Sequence, residues 1–225
     1  MRLVTVAHGT RTLEGNVVGA ALTQAAGARL GVPAVAAYVE LCAPLVTHVL
    51  RSSAEPTVVV PLLLSTGHHV HVDLPAAAQA APGRVELGGP LGPDPLLAAA
   101  SVERLLAAGA TRGQPVTMVA AGSRDPAASV DLEAAADLLS GQWGAPVRLA
   151  TVTGHGGRVL DIVRPGDAVS PYLLSPGHFA ERTRELALSA GAGVVADVLG
   201  SHPYVAELVV TRAAHLLARS AAVRS

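Results

Sequence analysis

The sequence predicts an α/β protein of two duplicated lobes, each a doubly wound parallel sheet flanked by helices, facing one another across a cleft. Three observations predict it. Short Val- and Leu-rich runs alternate with Ala-rich helical stretches, the order that gives right-handed βαβ crossovers. The strand runs are apolar throughout, as expected of strands covered on both faces. The pattern then restarts halfway along the chain.

In order, Leu3 to Ala7 reads as a first strand ending in His8-Gly9-Thr10-Arg11, and a helix follows from Leu13 to Leu30, stopped by Gly31 and Pro33. Ala34 to Leu41 reads as a second strand with Glu40 near its end, and Pro44 to Arg51 as a helix. Thr57 to Leu64 is a β-branched run that breaks at Ser65-Thr66-Gly67, before His68, His69 and His71. A helix is expected from about Asp73–Pro75 to Ala81, a short strand at Arg84 to Leu87, a loop from Gly88 to Pro95 and a helix from Leu96 to Ala108.

"PVTMVAAGSRDP" from Pro115 then repeats "LVTVAHGTR" at an offset of 113 positions, "SPYLLSPGHF" from Ser170 repeats "VPLLLSTGHH" at 110, and "VLGSHPYVAELVVTR" from Val198 repeats "PLGPDPLLAAASVER" at 108. Matched segments in the same order imply duplication. The expected lobes are 1–112, carrying the histidines, and 113–225, a degenerate repeat. His8 aligns with Ala121, His69 with Phe179, and Glu40 with the uncharged stretch Thr151 to Thr153.

Composition narrows the function. The net charge is −1, with 2% aromatic residues, so neither a basic footprint nor a stacking surface for nucleic acid is present. All sixteen basic residues are arginine. The single cysteine, Cys42, excludes an intrachain disulfide or Cys-rich zinc module and reads as a small buried hydrophobe. No apolar run approaches the roughly 18 residues of a membrane span, and the start reads as a strand rather than a signal peptide. A cytoplasmic protein is expected, with a monomer as the default.

In a parallel sheet, residues just past the strand ends converge on one edge, where open α/β folds bind ligands. His8, Glu40 and His69 each occupy such a position. Two imidazoles and a carboxylate suit a late first-row divalent ion. Each also has an ordinary structural role open to it: His8 in a surface turn, Glu40 as a solvated carboxylate, His68 and His71 at an exposed helix start. Arg11 and Arg124 could pair with Glu14 and Asp125. His178, His202 and His215 read as structural or surface residues, and His48 and His155 have no evident partner pattern.

"VAHGTR", "YVELCAP", "PLLLSTGHHVHVDLP" and "PLGPDP" together resemble the class II chelatases of the sirohydrochlorin cobalt/iron type, whose long members are duplicated. The resemblance implies that His8 and His69 are the metal-handling and catalytic pair and that Glu40 fills the acidic position of the "LE" segment. It leaves His68 at a variable position and makes His71 an extra imidazole, the two forming an accessory metal candidate. It implies one active site per chain, with the second lobe as wall and clamp. The expected substrates are a metal-free tetrapyrrole and a divalent metal, Fe²⁺ or Co²⁺ with Ni²⁺ also admissible, and no tightly bound cofactor. Siroheme and cobalamin synthesis both fit. Thr10, Arg11, Ser65, Thr66, Ser123, Arg124 and Ser175 are the candidates to meet substrate carboxylates, through turn hydroxyls, backbone N–H groups and bidentate pairing. Neutral imidazoles suit both metal ligation and proton acceptance near pH 7, with Glu40 orienting an imidazole or relaying a proton.

Two other readings compete. A strand followed by "HG" is shared with histidine phosphatases, but those sites carry an arginine just before the histidine, where this chain has Ala7. A tetrapyrrole or metal carrier would need the same groups as a slow chelatase.

Overall fold

In the computed structural model, which describes residues 1–222, the aliphatic runs form the strands and the Ala-rich runs the helices. Along the chain these are β1 (Arg2–Ala7), α1 (Leu13–Leu30), β2 (Ala34–Tyr38), α2 (Val46–Arg51), β3 (Thr57–Pro61), a π-helical turn (His69–Asp73), α3 (Leu74–Gln79), β4 (Val85–Leu87) and α4 (Pro95–Ala107). Then follow β5 (Val116–Ala120), α5 (Pro126–Trp143), β6 (Val147–Thr151), α6 (Val159–Ile162), β7 (Ala168–Tyr172), α7 (His178–Ser189), β8 (Val194–Val195) and α8 (Pro203–Ala222). The strands make two parallel four-stranded sheets, ordered β2-β1-β3-β4 and β6-β5-β7-β8. No helix among the described residues is long and apolar enough to cross a membrane.

The first helix shows how sequence sets the packing. Thr12 caps it, accepting from Gly15 N, and Gly31 ends it in the left-handed region at φ 64°. Its buried stripe is Gly15, Gly19, Leu22, Thr23, Ala26 and Gly27. Small residues bring the helix close to the sheet: a Cβ on Gly27 would stand 2.6 Å from the Ala34 Cβ. Thr5 and Thr23 share a hydroxyl contact of 2.5 Å across that interface, so these buried polar groups are satisfied.

Two strands end sooner than the sequence suggests. β2 stops at Tyr38 rather than Leu41, and β3 at Pro61 rather than Leu64. The apolar runs continue past the last paired residues, where Val39 N and Leu62 N still donate to Ala7 O and Val6 O of β1. Glu40 therefore lies in a turn beyond β2. The expected loop before α3 is instead a turn of π-helix, closed by Leu74 N donating to His69 O. His69 is thus held in hydrogen-bonded backbone.

The chain forms two compact units, one of Met1–Leu91 with the segment from Val205, the other of Gly92–Tyr204. The sequence repeat restarts near residue 113, so repeats and compact units divide the chain differently: each repeat's closing helix belongs with the other repeat's sheet. In the first unit, α8 joins through Arg29–Glu207 at 2.6 Å and Arg219–Glu86 at 2.9 Å. In the second, α4 receives Gln142 Nε2 at Pro95 O (2.8 Å), and its Arg104 Nη2 donates to Leu199 O (3.0 Å). Val4, Val6, Val59, Leu50 and Leu74 lie in the first core, and Val119, Ala150, Val159 and Val169 in the second.

Candidate functional site

Three loops of the first unit meet at the strand ends. The first leaves β1 as His8-Gly9-Thr10. Gly9 has φ 99°, and a Cβ there would stand 2.0 Å from the Glu40 carbonyl oxygen. Only glycine permits both this backbone conformation and this approach. The second loop leaves β2, with Val39 N donating to Ala7 O (2.9 Å) and Glu40 N to His8 O (3.1 Å). The third is the π-helical turn carrying His69.

These loops bring His8, Glu40 and His69 together: their ligand atoms all lie within 4.8 Å of one another. His8 Nε2 is 3.4 Å from Glu40 Oε1. The two imidazole rings stand edge to face, centroids 4.9 Å apart. The side chains of His8 and Glu40 are about half exposed, at 46% and 52%, and that of His69 less so at 28%, so an ion could reach them from solvent. Such a donor set can hold a divalent first-row ion and leave coordination positions open.

Each imidazole is oriented by a partner. His69 Nδ1 lies 2.6 Å from Asp73 Oδ2. With Nδ1–H donating to that carboxylate, the Nε2 lone pair is left for a metal, the arrangement common to histidine ligands. His8 Nδ1 lies 3.4 Å from Gly9 O, which favours the same tautomer. The His8 loop is also braced from α1: Thr10 N donates to Asn16 Oδ1 (3.1 Å) and Asn16 Nδ2 donates to Thr10 O (2.9 Å). Tyr38 donates its hydroxyl to Asn16 O (3.2 Å). Burial, and then the charge of Cys42, push that phenol above its ordinary range, so it stays a donor.

The other candidates are placed differently. His68 is exposed, its Nε2 3.8 Å from Asp73 Oδ1, and His71 is exposed within the π-helical turn; both lie outside the three-residue cluster. The Thr10 hydroxyl accepts from Thr12 N (2.9 Å), and Ser123 Oγ from Asp125 N (3.1 Å). Asp125 caps α5 through Ala127 N rather than pairing with Arg124. Arg11 and Arg124 are exposed, with no ion pair among the described residues. Ser65, Thr66 and Ser175 are partly buried in the loops after β3 and β7. Cys42 is partly exposed rather than buried, its Sγ 3.3 Å from where a Gly9 Cβ would stand, because it follows the turn that carries Glu40. His202 accepts from Tyr204 N (3.3 Å) and faces Glu103 at 2.9 Å, a capping role at the start of α8.

Sequence reasoning missed two supports. Asp73 stood in the quoted motif without a role, although a carboxylate four residues after a histidine on helical backbone is a readable signal. Asn16, in the first turn of α1, gave no comparable one.

The fold is that of a duplicated α/β protein, chelatase-like in architecture. Residues 2–108 match the CbiX family model. The sirohydrochlorin ferrochelatase of Priestia megaterium is 28% identical over 91% of this chain and 86% of its own. Among solved structures, SirB from Bacillus subtilis with Fe³⁺ superposes with a TM-score of 0.81 at 24% identity, covering 99% of this chain and 98% of that one. CbiX, described as the terminal enzyme for siroheme biosynthesis in denitrifying bacteria, gives 0.73 at 20% identity, covering 96% and 99%. The match to the family model spans the first repeat, and the likeness to the ferrochelatase and to the solved structures runs along nearly the whole chain.

Proposed function

We propose that this protein is a sirohydrochlorin chelatase that inserts Fe²⁺ or Co²⁺ into the metal-free tetrapyrrole. The observation that carries this reading is the cluster of His8, Glu40 and His69 within 4.8 Å, set against Ala121, Thr153 and Phe179 at the corresponding strand ends of the second unit. The relatives support it: one is a sirohydrochlorin ferrochelatase, and SirB has been solved with Fe³⁺ and with cobalt.

The ion is a substrate, held by the two imidazole Nε2 atoms and the Glu40 carboxylate. Insertion exchanges these ligands for ring nitrogens and releases two pyrrole protons. As the ion leaves an imidazole, the freed lone pair takes a proton from the ring. Asp73 stabilises the resulting His69 imidazolium through Nδ1–H. Glu40, open to solvent, passes protons outward. Arg11, with Thr10, Ser65 and Thr66 around the same strand ends, meets peripheral carboxylates of the macrocycle; Ser123, Arg124 and Ser175 occupy the matching places in the second unit.

The test is the absorbance of metal-free sirohydrochlorin with protein and Co²⁺ or Fe²⁺ under anaerobic conditions. Many equivalents should convert. His8→Ala and His69→Ala should each slow conversion by at least about 100-fold. A spectral change that stops at one equivalent would make the protein a carrier instead.

A further inference from the structure

Leu41 follows Glu40 directly and is the one non-glycine residue with positive φ among the described residues, at 67°. Cys42 N donates to Glu40 O (2.9 Å) across it, so Leu41 is the centre of a three-residue turn of the rare, strained hand. A leucine gains nothing from that backbone, since its Cβ crowds the following carbonyl. It gains little from packing either, being 48% exposed.

The second unit provides a control. At the position matching Leu41 the chain has Gly154, with φ 76°. The positive φ thus recurs with the residue best suited to it, and only the unit carrying the histidines departs from that choice. The segment bearing His69 behaves likewise. Val72 in the π-helical turn is 48% exposed, and its counterpart is Arg182, which pairs with Glu185 at 3.0 Å on the surface of α7. Exposed aliphatic side chains therefore sit on two of the segments that carry the ligand cluster, where the second unit has a glycine and an ordinary surface ion pair.

We propose that Leu41 is a substrate-binding residue: its aliphatic side chain, kept in an unfavourable backbone conformation beside Glu40, packs on the apolar face of the planar macrocycle as the ring meets the metal. Val72 extends the same apolar rim. This rests on the chelatase reading above and adds to it the residue that recognises the ring rather than the ion. Leucine suits the task because a planar hydrocarbon face is bound by area removed from water. A polar or charged residue there would compete with the ring nitrogens for the metal.

The experiment compares Leu41→Gly and Leu41→Asn, both of which tolerate left-handed φ, with Leu41→Met, which keeps an aliphatic surface. Three quantities are read: thermal midpoint, Co²⁺ affinity of the protein alone, and KM and kcat with metal-free sirohydrochlorin. Leu41→Gly and Leu41→Asn should melt at or above the wild-type temperature and bind Co²⁺ as the wild type does. Their KM for the tetrapyrrole should rise roughly five- to fifty-fold, and Leu41→Met should restore it to within about threefold. A stable variant that loses only the macrocycle cannot be explained by misfolding. Wild-type KM in Leu41→Gly would overturn this inference alone. A parallel loss of Co²⁺ affinity would also overturn it, making Leu41 a support for Glu40. If the wild-type protein neither binds nor converts sirohydrochlorin, the chelatase reading fails and this inference with it.

Discussion

At the ends of β1, β2 and β3 the first unit sets His8, Glu40 and His69, while the second sets Ala121, Thr153 and Phe179 at the ends of β5, β6 and β7. The backbone beneath them is nearly the same. Gly9 and Gly122 both have positive φ. Glu40 N donates to His8 O as Thr153 N donates to Ala121 O. These shared features are what a strand-end loop needs in order to close, whatever side chains it carries. The differences are what the cluster needs in addition. Asp73 orients His69, whereas its counterpart Thr183 is fully buried and donates to Phe179 O (2.8 Å) within its own helix. The first unit inserts a π-helical turn where the second begins α7 directly at His178, and π turns often mark functional sites. Duplication thus separates scaffold from chemistry within a single chain.

The largest effect should come from testing the scaffold in both units. Gly9→Ala places a Cβ against the Glu40 backbone carbonyl, which cannot rotate away. We expect a loss of about 3 kcal/mol of stability and displacement of Glu40 from His8, read as a lowered Tm and weakened Co²⁺ binding. Gly122→Ala meets the Thr153 hydroxyl, which can turn aside, and the Cβ of buried Thr151 at 2.9 Å, which cannot. Its cost should be about 2 kcal/mol, from the backbone and that contact, with Co²⁺ binding unchanged. Equal effects of the two substitutions on metal binding would break the division drawn here.

A smaller effect is expected at Asp73. Without its carboxylate His69 is free to change tautomer and swing, so Asp73→Ala should weaken Co²⁺ binding about 10- to 100-fold. Asp73→Asn keeps an acceptor for Nδ1–H and should fall between that variant and the wild type. Both can be measured by competition against a chromophoric chelator. The metal must also displace protons, so binding should weaken for all three proteins toward pH 5. Thr183→Ala in the second unit should leave metal affinity where it was.

The order of elements was legible because aliphatic runs, helix caps and glycine stops are local signals. The limits of α1 follow directly from Thr12 and Gly31. The convergence of His8, Glu40 and His69 was legible because parallel topology forces strand ends to one edge. The exchange of α4 and α8 was not, since each presents an apolar stripe that fits either sheet and only the three-dimensional path decides. The early ends of β2 and β3 were hidden by apolar residues that continue past the last ladder bond. The orientation of His69 was legible only in part: Asp73, four residues on, is a readable partner, but the π-helical hydrogen bond that sets the backbone beneath it leaves no residue signature.

The finest test concerns Asn16. In the first unit the segment from His8 to Thr10 is fixed at both ends: Glu40 N holds the His8 carbonyl, and the Asn16 amide holds the N–H and the carbonyl of Thr10. In the second unit the bond to Ala121 O is kept, but the residue matching Asn16 is the exposed Ser129, with no hydrogen bond to the loop among the described residues. A brace that accompanies the histidine and is absent without it acts on where that imidazole points. Asn16→Ala removes two hydrogen bonds, each worth about 1 kcal/mol net, and water can replace part of both. The expected outcome is a fall in Co²⁺ affinity of about three- to tenfold with a small drop in Tm, while Ser129→Ala changes neither. Asn16→Asp keeps the bond from Thr10 N and loses the one to Thr10 O, so it should retain part of the affinity. If Asn16→Ala lowered Tm and left Co²⁺ affinity untouched, the brace would belong with the scaffold, and the line between the two units would have to be redrawn at the histidine itself.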